Sequence, residues 1–328
     1  MQPLHIGFTY DLRSEYLKAG YSEEETAEFD GEVTVCAVEN ALKGLGHTVE
    51  RIGGIKSLVG LLAEGKRWDL VFNIAEGLLG VSREAQIPAL LDAYGIPYTF
   101  SEPLALCAAL DKPTAKRIVR GHGINTPSFF VAEKQSDLDG VTLPFPLFCK
   151  PTGEGSSKGV GAYSYANGME KLQNSVAALL KQFRQPVLIE EYLPGKEYTA
   201  GIVGTGAEAR VLGVMEIALN ADDKEGYSYK NKVNYLDAVR YRLADNAAAA
   251  ECGALALAAY RALNCRDCGR VDVKYDAANK PSFIEVNPLA GLNPEYSDFP
   301  ILCGLLNLPY QALIEEILYS AAKRLVRT

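Results

Sequence analysis

Histidine is scarce in this 328-residue chain, with His5, His47 and His122 far apart. A zinc centre therefore lacks its commonest ligand, and the lone Cys-x-x-Cys, Cys265 and Cys268, has no second pair to complete a tetrahedral set. The seven cysteines are odd in number and scattered through apolar segments, which suits reduced thiols in a cytoplasmic protein. Positive charge is also in deficit. With 33 basic and 41 acidic residues the net charge is −8, so nucleic acid is not an expected partner. The longest apolar stretch, 247–260, is interrupted by Glu251 and falls short of the roughly 20 residues of a membrane span, so no membrane partner is expected. The first residues have no basic segment and no apolar core, so no signal peptide is expected. Neither a Walker A loop nor a Rossmann glycine fingerprint occurs. What remains is an ordinary globular composition, 48% hydrophobic and 23% charged, long enough for one large or two to three modest domains.

The most informative stretch is 269–291. Gly-Arg-Val-Asp-Val-Lys-Tyr and Ser-Phe-Ile-Glu-Val-Asn alternate with period two around Asp-Ala-Ala-Asn-Lys-Pro, which predicts a β-hairpin. Alternation puts Arg270, Asp272 and Lys274 on one face, and Phe283, Glu285 and Asn287 together on one face of the second strand. Paired, the strands bring Asp272, Glu285 and Asn287 to one spot beside Arg270. Such a set suits magnesium holding a charged phosphate, and it equally describes a hairpin showing a polar face to water.

Before it, strands at 4–9, 48–52, 69–74 and 97–100 alternate with helices at 21–46, 55–65 and 83–94. That order predicts an open parallel sheet with helices on both faces and a ligand crevice at the strands' carboxyl ends, near 9–11, 73–77 and 99–101. Ser101-Glu-Pro reads as a boundary, and 104–120 as one helix carrying Leu-Asp-Lys at 110–112. The strand at 145–150 delivers Lys150 into Pro-Thr-Gly-Glu-Gly-Ser-Ser-Lys-Gly-Val-Gly. The glycines of this loop let backbone amides approach phosphate oxygens, although a flexible hairpin tip has the same composition. A helix at 169–183 precedes an apolar strand kinked at Leu-Pro-Gly. There, backbone groups from Glu190 to Leu193 leave the ladder and can meet a purine edge, and Glu197 can accept from ribose hydroxyls. Residues 220–238, rich in lysine and tyrosine, are either disordered or a functional lid. Helices at 247–263 and 311–326 complete the chain.

In this order these pieces resemble the ATP-grasp superfamily and, within it, the D-alanine–D-alanine ligases. The resemblance rests on Leu-Asp-Lys (110–112), Lys-Pro-Thr-Gly-Glu-Gly-Ser-Ser (150–157), Val-Leu-Ile-Glu-Glu-Tyr-Leu-Pro-Gly-Lys-Glu (187–197), Gly-Arg-Val-Asp-Val (269–273) and Glu-Val-Asn-Pro with Gly291. It implies an α/β fold in which an N-terminal substrate domain (1–103) precedes the two ATP-grasp subdomains (104–185 and 186–328). It also implies that Lys112, Lys150 and Ser156 contact nucleotide phosphates, Glu190 and Leu193 the adenine, and Glu197 the ribose. By the same resemblance Lys232 reaches the γ-phosphate from the lid, and Asp272, Glu285 and Asn287 bind magnesium, two ions in the usual family pattern. Arg270 and the backbone of Gly291 stabilise an oxyanion. The implied cofactors are ATP and Mg2+, and the implied reaction activates a carboxylate as an acyl phosphate that an amine attacks. Two D-alanines are the default substrates, which would place the protein in peptidoglycan synthesis for the cell wall. A cytoplasmic homodimer is likewise an implication.

The departures cluster at the amino-acid end. Where these ligases open on a glycine-rich turn containing serine and glutamate, this chain reads Phe-Thr-Tyr-Asp-Leu-Arg-Ser-Glu, with Asp11 or Glu15 as substitutes. The histidine–glycine–glutamate–aspartate segment appears as Asn-Ile-Ala-Glu-Gly, with Glu76, followed by Ser-Arg-Glu at 82–84. Val233 follows the lid lysine where a tyrosine is usual. Ser297 is the candidate for holding the second substrate's carboxylate. A different amino-acid pair or conjugate, and an inactive ATP-binding sensor or scaffold, stand as alternatives to the default product.

Overall fold

In the first sheet the odd and even residues of one buried strand serve two cores. The structure, a computed structural model, describes residues 2–156, 158–219 and 239–325. Strands β1 (His5–Thr9), β2 (Thr48–Gly53) and β3 (Leu70–Asn73) form a parallel sheet in the order β2-β1-β3. Ile6, Phe8, Leu70 and Phe72 pack on helix Glu32–Gly44 and, from the far end of the chain, helix Tyr310–Ala322. Val71 and Ile52 face the other core, with Leu58 and Leu91 from helices Ile55–Ala63 and Gln86–Ala93. The expected fourth strand shrinks to a single parallel bridge between Val71 and Tyr98. Phe100 ends it by turning to φ +69, and its N–H goes to the buried Asp267 carboxylate at 2.8 Å. The expected 21–46 helix starts only at Glu32, and a short helix, Arg13–Lys18, precedes it.

The helix expected at 104–120 is two helices, Pro103–Leu110 and Lys112–Gly121. Asp111 takes an extended conformation between them and caps the second, accepting from the Thr114 amide at 2.8 Å. The break converts Lys112 from a helix-surface residue into the buried first residue of a new helix.

Strands β4 (Phe129–Ala132), β5 (Leu147–Pro151), β6 (Tyr165–Ala166) and β7 (Val187–Glu191) form an antiparallel sheet in the order β4-β7-β5-β6, backed by helix Met169–Phe183. Since β7 lies between β4 and β5, this sheet runs past residue 185, where the subdomain division was expected. The last sheet, antiparallel in the order β10-β9-β8-β11-β12, comprises β8 (Glu197–Val203), β9 (Arg210–Leu219), β10 (Val239–Leu243), β11 (Cys268–Tyr275) and β12 (Pro281–Asn287). Helix Asn246–Ala262 packs its small residues against it. Cys265 and Cys268 are buried free thiols, and burial pushes that of Cys265 up to about 12, so they behave as packed apolar residues. Among the described residues no single helix is long and apolar enough to cross a membrane.

Candidate active site

The hairpin forms as its alternation predicts, with one change. Asp272 pairs with Glu285 and Val273 with Phe283, so the β12 strand carries one extra residue, Ile284. This bulge turns Phe283 into the core beside Val271 and Val273, away from the polar face on which alternation put it. Glu285 and Asn287 keep that face, opposite Asp272 and Arg270 in register. Burial and the facing Glu285 raise the proton affinity of Asp272, against Arg270 and Thr199, which oppose the shift. Arg270 grips Asp272 through Nε at 3.0 Å and Nη2 at 2.9 Å, and donates through Nη1 to Asp298 at 2.6 Å. Asn287 Nδ2 lies 3.4 Å from the same Asp272 carboxylate. Two facing carboxylates, one of them buried, and an amide form an oxygen-rich set suited to a hard divalent cation completed by phosphate oxygens. No group of three or more His, Cys, Asp or Glu among the described residues is placed to hold a metal by itself.

This hairpin floors a cavity of ≈ 350 Å³ to which all three sheet units contribute. Lys112, Ser156, Arg270, Glu285, Asn287, Gly291, Ser297 and Glu76 all line it. Lys112 Nζ stands 3.4 Å from Glu285 and also donates to the Glu154 carbonyl. At Gly291 a Cβ would meet the Ser297 hydroxyl at 2.8 Å, so glycine allows these two segments their close approach.

Lys150, Glu190, Leu193 and Glu197 lie outside that lining. Lys150 and Lys116 each stand 2.9 Å from one oxygen of the buried Glu190. Burial opposes ionisation of all three. The two lysines nonetheless hold Glu190 below the ordinary carboxylate range, while burial and the neighbouring Lys150 bring Lys116 down to about 8. Sequence reading missed Lys116, although it sits four residues, one helical turn, after Lys112. At the strand kink Glu190 stays in the ladder, and the amides of Glu191 and Tyr192 donate to Ser128 and Pro146 carbonyls, so fewer groups are freed than expected. Leu193 is buried, and Glu197 accepts from Lys274 at 3.1 Å.

The glycine–serine loop is tied to the first domain. Glu28 accepts from the Gly155 amide at 2.6 Å and pairs with Arg83 at 3.0 Å and Lys158 at 3.2 Å, while Arg83 also donates to the Gly153 carbonyl. Lys158 belongs to the quoted glycine–serine loop, but Glu28 carries no motif and only Ser-Arg-Glu at 82–84 pointed to Arg83.

On the first-domain side two candidates fall outside the cavity lining. Asp11 does not line the cavity. Its carboxylate accepts from Tyr16 Oη at 2.5 Å and from the Gly77 amide at 2.8 Å, which commits it to holding the 76–84 loop. Glu15 is an exposed residue of helix Arg13–Lys18 and is also absent from the lining. Arg13, Glu28, Asp30, Glu76 and Glu84 line that end instead. Lys232, with the whole stretch 220–238, lies outside the described residues.

A parallel three-stranded domain followed by two antiparallel sheets that enclose a phosphate-type loop, paired lysines and an acidic hairpin defines an ATP-grasp architecture. The model of the family described as "D-ala D-ala ligase C-terminus" matches residues 118–319. The D-alanine–D-alanine ligase of Bordetella petrii is 35% identical over 274 residues, covering 82% of this chain and 80% of that protein. The uncharacterized protein y4sG of Sinorhizobium fredii is 29% identical over 300 residues, covering 88% and 87%. This chain therefore belongs to the D-alanine–D-alanine ligase family. Two solved structures share the fold over almost the whole chain. The D-alanine–D-alanine ligase of Bacillus anthracis complexed with ATP has a TM-score of 0.72 at 21% identity, covering 98% of each chain. The VanG D-Ala:D-Ser ligase of Enterococcus faecalis has 0.73 at 20%, covering 98% of this chain and 100% of that one. Ligases named for different second substrates match equally well, so the fold does not select one.

Proposed function

We propose that this protein is an ATP-dependent carboxylate–amine ligase that joins two small amino acids, with D-alanyl-D-alanine as the family's default product. The observation that carries the reading is the register of Asp272 against Glu285, with Asn287 beside them, where Glu285 and Asn287 line the same cavity as Lys112 and the glycine loop. In this reading Lys112, Lys150 and Ser156 hold the nucleotide phosphates. Glu190 and Leu193 hold the adenine, Glu197 the ribose, and Lys232 closes from the 220–238 lid. Asp272, Glu285 and Asn287 hold magnesium, two ions in the family pattern, and bound magnesium supplies charge neutralisation across the phosphate oxygens. The division into 1–103, 104–185 and 186–328 belongs to the reading. So do a homodimer and a cytoplasmic location, with which seven free thiols agree.

An amine does not displace hydroxide from a carboxylate, so the carboxylate first takes the γ-phosphoryl group. That transfer needs positioning and charge neutralisation more than covalent help from the protein. Arg270, held rigid by Asp272 and Asp298, faces the oxyanion that forms when the amine attacks, with the Gly291 backbone as its partner. In this reading the task of keeping water from the acyl phosphate falls to the 220–238 stretch. Free α-amino groups titrate near pH ~8, so the attacking amine must shed a proton. A different amino-acid pair is favoured by one observation: neither Asp11 nor Glu15 reaches the cavity, and Glu76 and Glu84 do.

Phosphate release with ATP and magnesium, screened over D- and L-amino acids, tests the proposal. Amino-acid-dependent release is expected. Release with no amino acid in the panel contradicts it, and release only with non-alanine substrates removes the default product alone.

A further inference from the structure

The first-domain side of the cavity gathers carboxylates that no cation pairs directly among the described residues. Among the described residues Glu84 accepts no hydrogen bond and forms no ion pair, yet it is only 9% exposed and lines the cavity. Glu76 lines it too, likewise without a hydrogen bond or ion pair. The backbone brings them together: at Gly77, with φ +71, a Cβ would stand 2.6 Å from the Arg83 carbonyl oxygen, so the loop between Glu76 and Glu84 closes on itself. Asp11, accepting from the Gly77 amide, locks that closure. Among the described residues the nearby cations form their ion pairs elsewhere, and Arg83 and Lys112 reach Glu84 only through space. Arg83 and Lys158 pair with Glu28, Arg13 with Glu23, and Lys112 with Glu285. Burying a carboxylate without a partner is costly, and a ligand cation is the complement that removes the cost.

We infer that Glu76 and Glu84 form an ammonium-binding subsite that seats the protonated amino group of a small amino-acid substrate. The inference rests on the ligase reading for its setting and places amino-group recognition in the 76–84 loop. Asp11 is then a positioning residue, acting through Gly77. Selectivity for an amino acid over the matching 2-hydroxy acid follows, because a hydroxyl offers no positive charge to the two carboxylates.

The test uses the full chain with D-alanine and D-lactate as probes. Calorimetry in the presence of a non-hydrolysable ATP analogue reads binding, and phosphate release reads turnover. The wild-type chain is expected to prefer D-alanine by at least about 100-fold. Glu84→Gln is expected to weaken D-alanine at least about tenfold, narrow the preference to under about tenfold and leave nucleotide affinity within about twofold. Glu84→Asp, which keeps the charge, is expected to recover part of the preference, as a purely structural role would not. D-alanine binding and preference unchanged in Glu84→Gln and Glu76→Gln overturn the inference, as does a wild-type chain that binds D-lactate as well as D-alanine. Binding of D-alanine lost in the variants, but with no turnover in the wild type, supports the subsite and counts against the ligase reading.

Discussion

Two neighbouring parts of the site, the lysine-rich region around Glu190 and Asp272 and the first-domain side of the cavity, differ in how their charges are settled. At the nucleotide end every buried charge has its counter-charge: Lys116 and Lys150 on Glu190, Arg270 on Asp272 and Asp298, Lys112 by Glu285. On the first-domain side Glu84 and Glu76 form no ion pair among the described residues; burial raises Asp30 and Glu84 to about 7 and Glu76 well above the ordinary carboxylate range, with Arg83 opposing the shift at both glutamates. The paired end suits a ligand whose charge pattern is fixed, as a nucleotide's is. Carboxylates that burial keeps from ionising are relieved by a ligand that brings positive charge, so in the proposed reading this is the part of the site through which substrate choice is made.

The largest break in that comparison is expected at Asp272. Asp272→Asn keeps the shape but removes a carboxylate from the oxygen set, and turnover should fall about 100- to 1,000-fold, in the range for losing one preorganised electrostatic group. Circular dichroism should still report a folded chain, and wild-type activity would remove Asp272 from the site. Next comes Lys116→Met, which leaves Glu190 with one cation in place of two. Loss of a buried ion-pair partner predicts destabilisation of about 3 kcal/mol, read by urea denaturation, with weaker ATP binding. Unchanged stability would mean that Lys150 alone satisfies Glu190.

These two predictions differ in how far sequence alone reached. Asp272, Glu285 and Asn287 were legible because period two and a turn suffice to bring them together. The Ile284 bulge was not, since an extra residue in one strand leaves alternation within that strand unmarked. Lys116 was overlooked because its burial comes from the break at Asp111, which turns the second helix into the sheet. The Glu28–Arg83–Lys158 tie joins residues separated by 55 and 130 positions, beyond any local pattern. Asp11 was read as a ligand group because its type and place suited one. Its actual hydrogen bonds, to Tyr16 and Gly77, depend on the closed 76–84 loop.

A smaller effect separates the two ends by pH. A carboxylate whose folded-state pKa is raised, about 7 for Glu84, contributes stability that is present below its unfolded pKa, near ~4, and lost as the pH rises through about 7. Glu84→Gln should therefore stabilise the chain by about 1–3 kcal/mol at pH 8 and by little at pH 4.5, measured by thermal unfolding at each pH. An equal effect at both pH values would show that Glu84 already has a counter-charge. The smallest change is expected from Glu28→Gln, which loosens the glycine loop from the first domain without emptying either end. ATP affinity should shift about two- to fivefold, since one charged hydrogen bond and one ion pair weaken in a partly solvated tie. A shift above about 50-fold would make Glu28 part of the nucleotide site itself.

The account is tested most directly by mass spectrometry of the products from ATP, magnesium and an equimolar pool of amino acids. It predicts a new amide-linked amino-acid product in amounts equal to the ADP and phosphate released, with Glu84→Gln lowering the yield. ADP formed without any new amide bond, or no ATP consumed with any amino acid present, would contradict it.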